Sequence, residues 1–399
     1  MKKNSKDVLL QIQKALVVVG FSFVIVWGYA KIALNLSFLN PISEVIENFS
    51  ITDKYYQMMP ERENRYISIV DLTSLHDRQE IAQALEAIES CHPIVVGMDC
   101  RFKNENKELA ADGKPKGNET ADNVLKKVVE KYRDNIVFSY ELFDEEEDEE
   151  IGYTREMHSF FANEIPIHEG VCNMQGDNIY NGIKRQMKLG WMVNGKKVPS
   201  LVGEVVNIYV GDKLVRTDDD NVNIKFAPTN FTIIHPDSIL QHRHEIEGRI
   251  VYFGSMAEET DMHYTPLGKI AGVELLAYAT QTLLEHSQII EPPMWMQVII
   301  AILLVMLTNM MQLLYLGWTS RSKSPLVYHV MGSAYLLGLV TFMWIALIMW
   351  FTFLFFCMYN VSMEIGWSIA AMAFLATSRS FYAACEDYYK LWKERKQHE

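Results

Sequence analysis

The chain has 399 residues, with 50 Asp and Glu against 37 Lys and Arg, and a formal net charge of −13. That balance excludes nucleic acid as a partner, because a phosphate backbone calls for clustered Lys and Arg. The length leaves room for one large globular domain plus several membrane segments, and the apolar residues fall in two blocks that flank an acidic middle.

The first apolar block, ALVVVGFSFVIVWGYAKIAL, runs over 15–34, and the membrane helix is set at 15–36 after a cytoplasmic N-terminus, 1–14. About 20 apolar residues suffice to cross the hydrocarbon core. The competing reading is a cleaved signal peptide ending near Ala30; either one exports the middle of the chain. The region 37–291 then reads as a soluble domain. Tyr66–Asp71 is a short β-branched run ending in an acid. Arg78–Ser90 has Ile81, Leu85 and Ile88 at helical spacing, and Ile94–Met98 is a second apolar strand closed by Asp99. Strand, helix, strand at this spacing reads as a right-handed βαβ unit with parallel strands buried on both faces.

Asn104–Glu119 is a charged loop, 120–132 a helix and 136–140 a strand. The run DEEEDEE at 144–150 reads as a solvated loop, since it lacks the spacing and Gly of a calcium loop. Gly170–Asn173 is strand-like. Ile183–Lys188 followed by Asn194-Gly195 signals a hairpin, and Pro199-Ser200 opens a helix with Ser200 as N-cap. Short strands are expected at 222–226, 231–235 and 249–253. A polar loop then carries Asp261, His263, Thr265 and Pro266, and a helix spans Gly272–His286.

After Pro292-Pro293 come three further spans, expected at 294–317, 328–355 and 361–378, with a basic, aromatic tail at 379–399. Lys and Arg cluster before the first span, between the second and third (Arg321, Lys323), and after the fourth (Arg379, Lys390, Lys393, Arg395, Lys396). The positive-inside rule places these sets in the cytoplasm and the large domain outside the inner membrane. Arg379 falls at the inner end of the fourth span, so no Asp, Arg or Lys is expected inside the bundle and transport is disfavoured.

The ordered motifs carry a resemblance. Val95-Val96-Gly97-Met98-Asp99-Cys100-Arg101-Phe102, Gly170-Val171-Cys172-Asn173, Arg185, Pro199-Ser200, Gly254-Ser255, Asp261-Met-His-Tyr-Thr265-Pro266 and Gly272-Val273-Glu274-Leu-Leu-Ala277 follow in order over 37–291. The set resembles the CHASE domain of type two, the sensory extracellular domain associated with cyclases and histidine kinases, and so does the layout of one span before and three after. The acidic segment 141–169 departs from that pattern. The resemblance implies an α/β extracytoplasmic domain with a mainly parallel sheet plus four transmembrane helices, and a sensor, receptor or scaffold. Since the chain ends about 20 residues after its last span, a separate cytoplasmic or membrane effector is expected to carry the output. The reading leaves room for a homodimer.

Candidate ligand-binding residues are Asp71, Asp99, Arg185, Asp261, His263 and Thr265. Ligands gather at the carboxyl ends of strands in open α/β sheets. The acids there could hold a hard cation or accept hydrogen bonds from an amine or sugar, or could simply bond loop N–H groups. Alternatives are a metal-dependent extracytoplasmic enzyme using Asp71, Asp99 and Asp261, and a structural envelope protein. Nothing calls for a cofactor, and Gly-x-Ser-x-Gly, phosphate-loop and His-Glu-x-x-His motifs are missing. Five cysteines include Cys91, Cys100 and Cys172 in the domain; a Cys100–Cys172 disulfide competes with three buried thiols.

Overall fold

The computed structural model describes residues 5–35, 51–104, 119–143, 152–173, 182–211, 221–257, 261–363 and 365–398. The acidic run 144–150 and nearly all of the 104–119 loop lie outside the described residues. Two compact units emerge: Tyr56–Ile289, and a second made of Met1–Tyr55 with Ile290–Glu399.

In chain order, helix α1 spans Ser5–Asn35 and α2 Ile51–Met58. Strand β1 covers Arg62–Asp71, α3 Arg78–Ser90, β2 Val95–Asp99, α4 Glu119–Tyr132 and β3 Ile136–Phe143. Short strands β4 (Arg155–Met157), β5 (His168–Val171), β6 (Gln186–Lys188), β7 (Gly190–Val193) and β8 (Lys196–Pro199) lead to α5, Leu201–Val210. Then come β9 (Asn221–Asn223), β10 (Thr229–Ile234), a 3-10 helix Pro236–His242, α6 (Arg243–Ile246) and β11 (Ile250–Gly254). The hairpin β12 (Met262–Thr265) and β13 (Gly268–Ala271) runs into α7, Gly272–Leu284. The last helices are α8 (Met294–Arg321), α9 (Ala334–Tyr359), α10 (Gly366–Ala373) and α11 (Leu375–His398).

The central sheet runs β10-β1-β11-β2-β3, all parallel, with β5 parallel to β3 and β4 antiparallel to the end of β3. The fold class is therefore mixed α/β with a mainly parallel sheet, as expected. Continuous apolar strands follow from burial on both faces. On one face Val70, Val96, Met98, Phe138, Val251 and Phe253 pack against Leu85 and Ile88 of α3 and Leu125 and Val129 of α4. On the other, α5 and α7 cover the sheet, and the buried Tyr252 hydroxyl bonds Thr280 of α7.

Asp77 caps α3 by accepting from the N–H groups of Gln79 and Glu80, and Ser200 caps α5 by accepting from Gly203. Two expectations need correction. The hairpin at Asn194-Gly195, both at positive φ, joins β7 to β8, whereas β6 pairs with β9; the apolar run Leu189–Val193 outcompetes 183–188 for the turn. The polar loop 261–266 is instead strand β12 and the start of its turn. The hydroxyl of Thr265 donates to Gly268 O at 2.9 Å and accepts from Leu267 N, closing that turn.

In the second unit three helices are long and apolar enough to cross a membrane: Leu10–Tyr29 within α1, Met294–Arg321 and Ala334–Tyr359. The segment read as a fourth span is broken at Phe374 between α10 and α11. α10 and α11 lie antiparallel to α1: Tyr29 meets Phe374, Ser22 Oγ bonds Ser378 Oγ at 2.9 Å, Phe21 stacks edge-on against Phe381 and Lys14 pairs with Glu386 at 3.1 Å. Polar residues cluster among these helices. Arg379 donates to Asn309 Oδ1 at 3.1 Å, Gln312 to Thr341 at 2.9 Å and Trp344 to Thr308 at 3.1 Å.

Candidate functional site

β1, β11 and β2 are neighbours, and Asp71, Gly254 and Asp99 share one row of their register. In-register residues of parallel strands project to the same face, so both acids leave the sheet at the same edge and side, about 10 Å apart. Between them Gly254 has no room for a side chain. A Cβ there would sit 2.9 Å from Val273 Cγ2 and 3.0 Å from Asp99 Cβ. The first turn of α7 thus presses onto the strand end.

Asp71 has a local task. Its Oδ1 accepts from Thr73 N at 2.9 Å, from the Thr73 hydroxyl, and from Met256 N at 3.1 Å, tying the loop after β1 to the loop after β11. Asp261 also has one. The N-cap of α7 is Ala271, which offers no side-chain acceptor. The Asp261 carboxylate lies against that helix start, so close that a Cβ on Gly272 would be 2.4 Å from Oδ2. A carboxylate there complements the positive end of the helix dipole. His263 Nε2 lies 3.5 Å from Asp261 Oδ1, and Thr265 closes the hairpin turn described above.

Asp99 and Asp261 therefore border one helix start, and Asp71 lies in the same row on the far side of β11. Among the described residues no group of three or more His, Cys, Asp or Glu side chains is placed to hold a metal ion. Arg185 accepts through its carbonyl from Ile224 N, and its neighbour Lys184 donates its N–H to Tyr264 O at 2.7 Å, which brings the 184–185 backbone to the β12 hairpin.

The surroundings of Asp99 were not singled out from the sequence. Arg101 and Lys103 both pair with Glu141 at the end of β3, the latter at 3.2 Å. Burial pushes the Cys172 thiol up to about 12, with the Asp99 charge adding to the effect. Cys172 is thus a neutral thiol at physiological pH and no nucleophile. All five cysteines are free. Cys100 and Cys172 follow β2 and β5, which lie on either side of β3, beyond disulfide reach without backbone movement.

A second unanticipated cluster lies on β3. The His158 ring stacks on Tyr140 with centroids 4.6 Å apart, and Nδ1 lies 2.8 Å from Glu169 Oε2. That hydrogen bond raises the imidazole pKa above its usual value. Arg101 sits two residues past a motif acid and was within reach of sequence reading. Glu141, His158 and Glu169 become neighbours only through strand register.

Searches against curated proteins and against solved structures each gave no match. The model of the CHASE2 domain matches residues 30–311, well over half of the chain. That span includes every motif quoted above, and CHASE2 is a family of sensory extracellular domains rather than catalytic ones. Together with the apolar helices, which mark a membrane protein, this means that the chain belongs to the CHASE2 family.

Proposed function

We propose that the protein is a four-span sensor of the inner membrane, with its domain at 37–291 outside the cytoplasm and a separate effector reached through the C-terminal helices. The observation that carries this reading is the antiparallel match of α1 with α10 and α11. Contacts at Tyr29, Ser22, Phe21 and Lys14 follow Phe374, Ser378, Phe381 and Glu386 in reverse order. A segment that runs beside a membrane helix over its apolar length supports a fourth crossing, and the break at Phe374 does not argue against it, because broken helices are tolerated where they are buried in protein. Four crossings put both chain ends on one side, together with the Lys and Arg clusters.

The ligand edge is the row of Asp71 and Asp99 with Arg185, Asp261, His263 and Thr265 around the start of α7. An amine or sugar suits its carboxylates. A ligand signals there only by binding two arrangements of that edge unequally. The metal-enzyme and envelope-scaffold readings have no specific observation behind them.

Protease added to spheroplasts and to inverted vesicles tests the topology. Cleavage within 56–289 in spheroplasts alone, and of the tail after Glu386 in inverted vesicles alone, is expected. The reverse pattern ends this reading.

A further inference from the structure

Arg379 is the strongest unexplained feature of the molecule. Two rulers put it deep in the bundle. Its partner Asn309 lies about 22 Å from the start of α8 and about 18 Å from its end, at 1.5 Å per residue. Its neighbour Ser378 bonds Ser22, near the middle of the Leu10–Tyr29 stretch. Glu386, the nearest acid along the helix, is about 10 Å lower by the same rise and is already paired with Lys14.

Asn309 is 2% exposed, while Arg379 is only half-buried, so part of it opens off the bundle. Among the described residues the guanidinium has no ion-pair partner, and a neutral amide does not balance a cation at this depth. Helical side chains lean toward the helix N-terminus, which here is away from the Lys14–Glu386 level, so snorkelling to that interface runs against the geometry. Ala376, Thr377, Ser380, Ala383 and Ala384 of α11 are all exposed beside it. Small residues let a second helix approach closely in lipid.

We propose that Arg379 docks a membrane-spanning helix of a partner protein that carries a carboxylate at matching depth. Intramembrane cations are retained where they meet a counter-charge. A second copy of this chain cannot supply one at that depth, because the acids of its fourth span and tail nearest to Arg379 are Glu364, 15 residues before it, and Glu386, seven after it. A lipid phosphate sits at the headgroup level rather than near the midplane. The proposal rests on the four-span reading and names the partner's chemistry.

The test uses the full chain in phosphatidylcholine vesicles at pH 8. The probe is a leucine-rich 20-residue helix with one central Glu, followed by energy transfer, with a central Gln helix as control. The Glu helix should associate on the order of tenfold more tightly than the Gln helix. The preference should vanish in Arg379→Gln and persist in Arg379→Lys. Equal association of both helices with the unaltered chain overturns the proposal, and that comparison needs no variant to fold. Loss of the preference on adding phosphatidylglycerol overturns it in favour of a lipid anion. Self-association that is lost in Arg379→Gln overturns it in favour of a second copy. Labelling of Ser380→Cys by a water-soluble maleimide, in a chain whose five native cysteines are replaced by Ala, keeps the two readings apart. Free labelling defeats the four-span reading itself; protection with no Glu preference defeats only the partner.

Discussion

Leu240 in the domain and Phe342 in α9 are 68% and 69% exposed, yet the two exposures mean opposite things. In water an exposed leucine is ordinary, and the side chains that carry stability are those removed from solvent. In α9 the exposed side chains are the ones suited to lipid, and the buried ones include Thr341, which bonds Gln312. The domain hides apolar groups and settles its polar ones in local bonds at strand ends. The bundle shows apolar groups and collects its few polar ones between helices. Burial alone therefore reports on stability only when the solvent is named.

The largest expected effect tests the domain half of that contrast. Phe138 is fully buried between β3 and the cluster of Phe102 and Phe161. Phe138→Ala should cost about 3–5 kcal/mol, read as a large fall in the denaturation midpoint of the full chain in detergent. Phe342→Ala, by contrast, should leave the midpoint almost unchanged. Next comes charge. Phe342→Asp should impair insertion by about 3 kcal/mol, seen as chain lost from the membrane fraction. Leu240→Asp should shift stability by no more than about 0.5 kcal/mol. Equal outcomes for the two aspartates would break the comparison.

A smaller effect is expected at the edge that bears the candidate site. Gly272→Ala forces the Asp261 carboxylate, the end of a partly exposed side chain, away from the start of α7 and should cost about 0.5–1 kcal/mol, measured as a lowered melting temperature. Gly317→Ala in α8, where a Cβ meets nothing within 4 Å, should be harmless. If Gly272→Ala also proves silent, Asp261 is mobile and the edge is looser than its geometry implies.

Much of this was legible in the sequence, for identifiable reasons. Ser200 and the β-branched runs at 66–71, 94–98 and 249–253 declare themselves because caps and doubly buried strands follow from neighbours along the chain. Asp71 and Asp99 could be placed at strand ends, and the sheet does put them in one row. That Asp71 would spend its oxygen on Met256 could not be read, since that bond depends on β11 lying between β1 and β2. The segment after 361 was legible only in part. Hydropathy ends a span at the first cation, so Arg379 marked an inner boundary. The helix Leu375–His398 runs on past Arg379, which bonds Asn309 of α8, and reaches Glu386, which pairs with Lys14 of α1.

The last test concerns a buried acid. Glu89, on α3, is 4% exposed, and its Oε1 has no hydrogen-bond partner. Burial raises its carboxyl to about 7, against a bond from Asn135 that pulls the other way. A carboxyl with a raised folded pKa holds a proton that the unfolded chain releases between about pH 4.5 and 7. Over that window the folded state binds more protons, so stability falls as pH rises and levels off above the folded pKa. The loss should be on the order of 1–3 kcal/mol. His158 slopes the same way, since its raised pKa gives stability that is present below the usual imidazole value and lost as pH climbs through the folded one. Glu89→Gln should flatten most of the slope between pH 4.5 and 7, and His158→Gln only its upper part. A profile that Glu89→Gln leaves unchanged would mean that water reaches this carboxylate, and that the domain tolerates a buried charge no better explained than the one in the bundle.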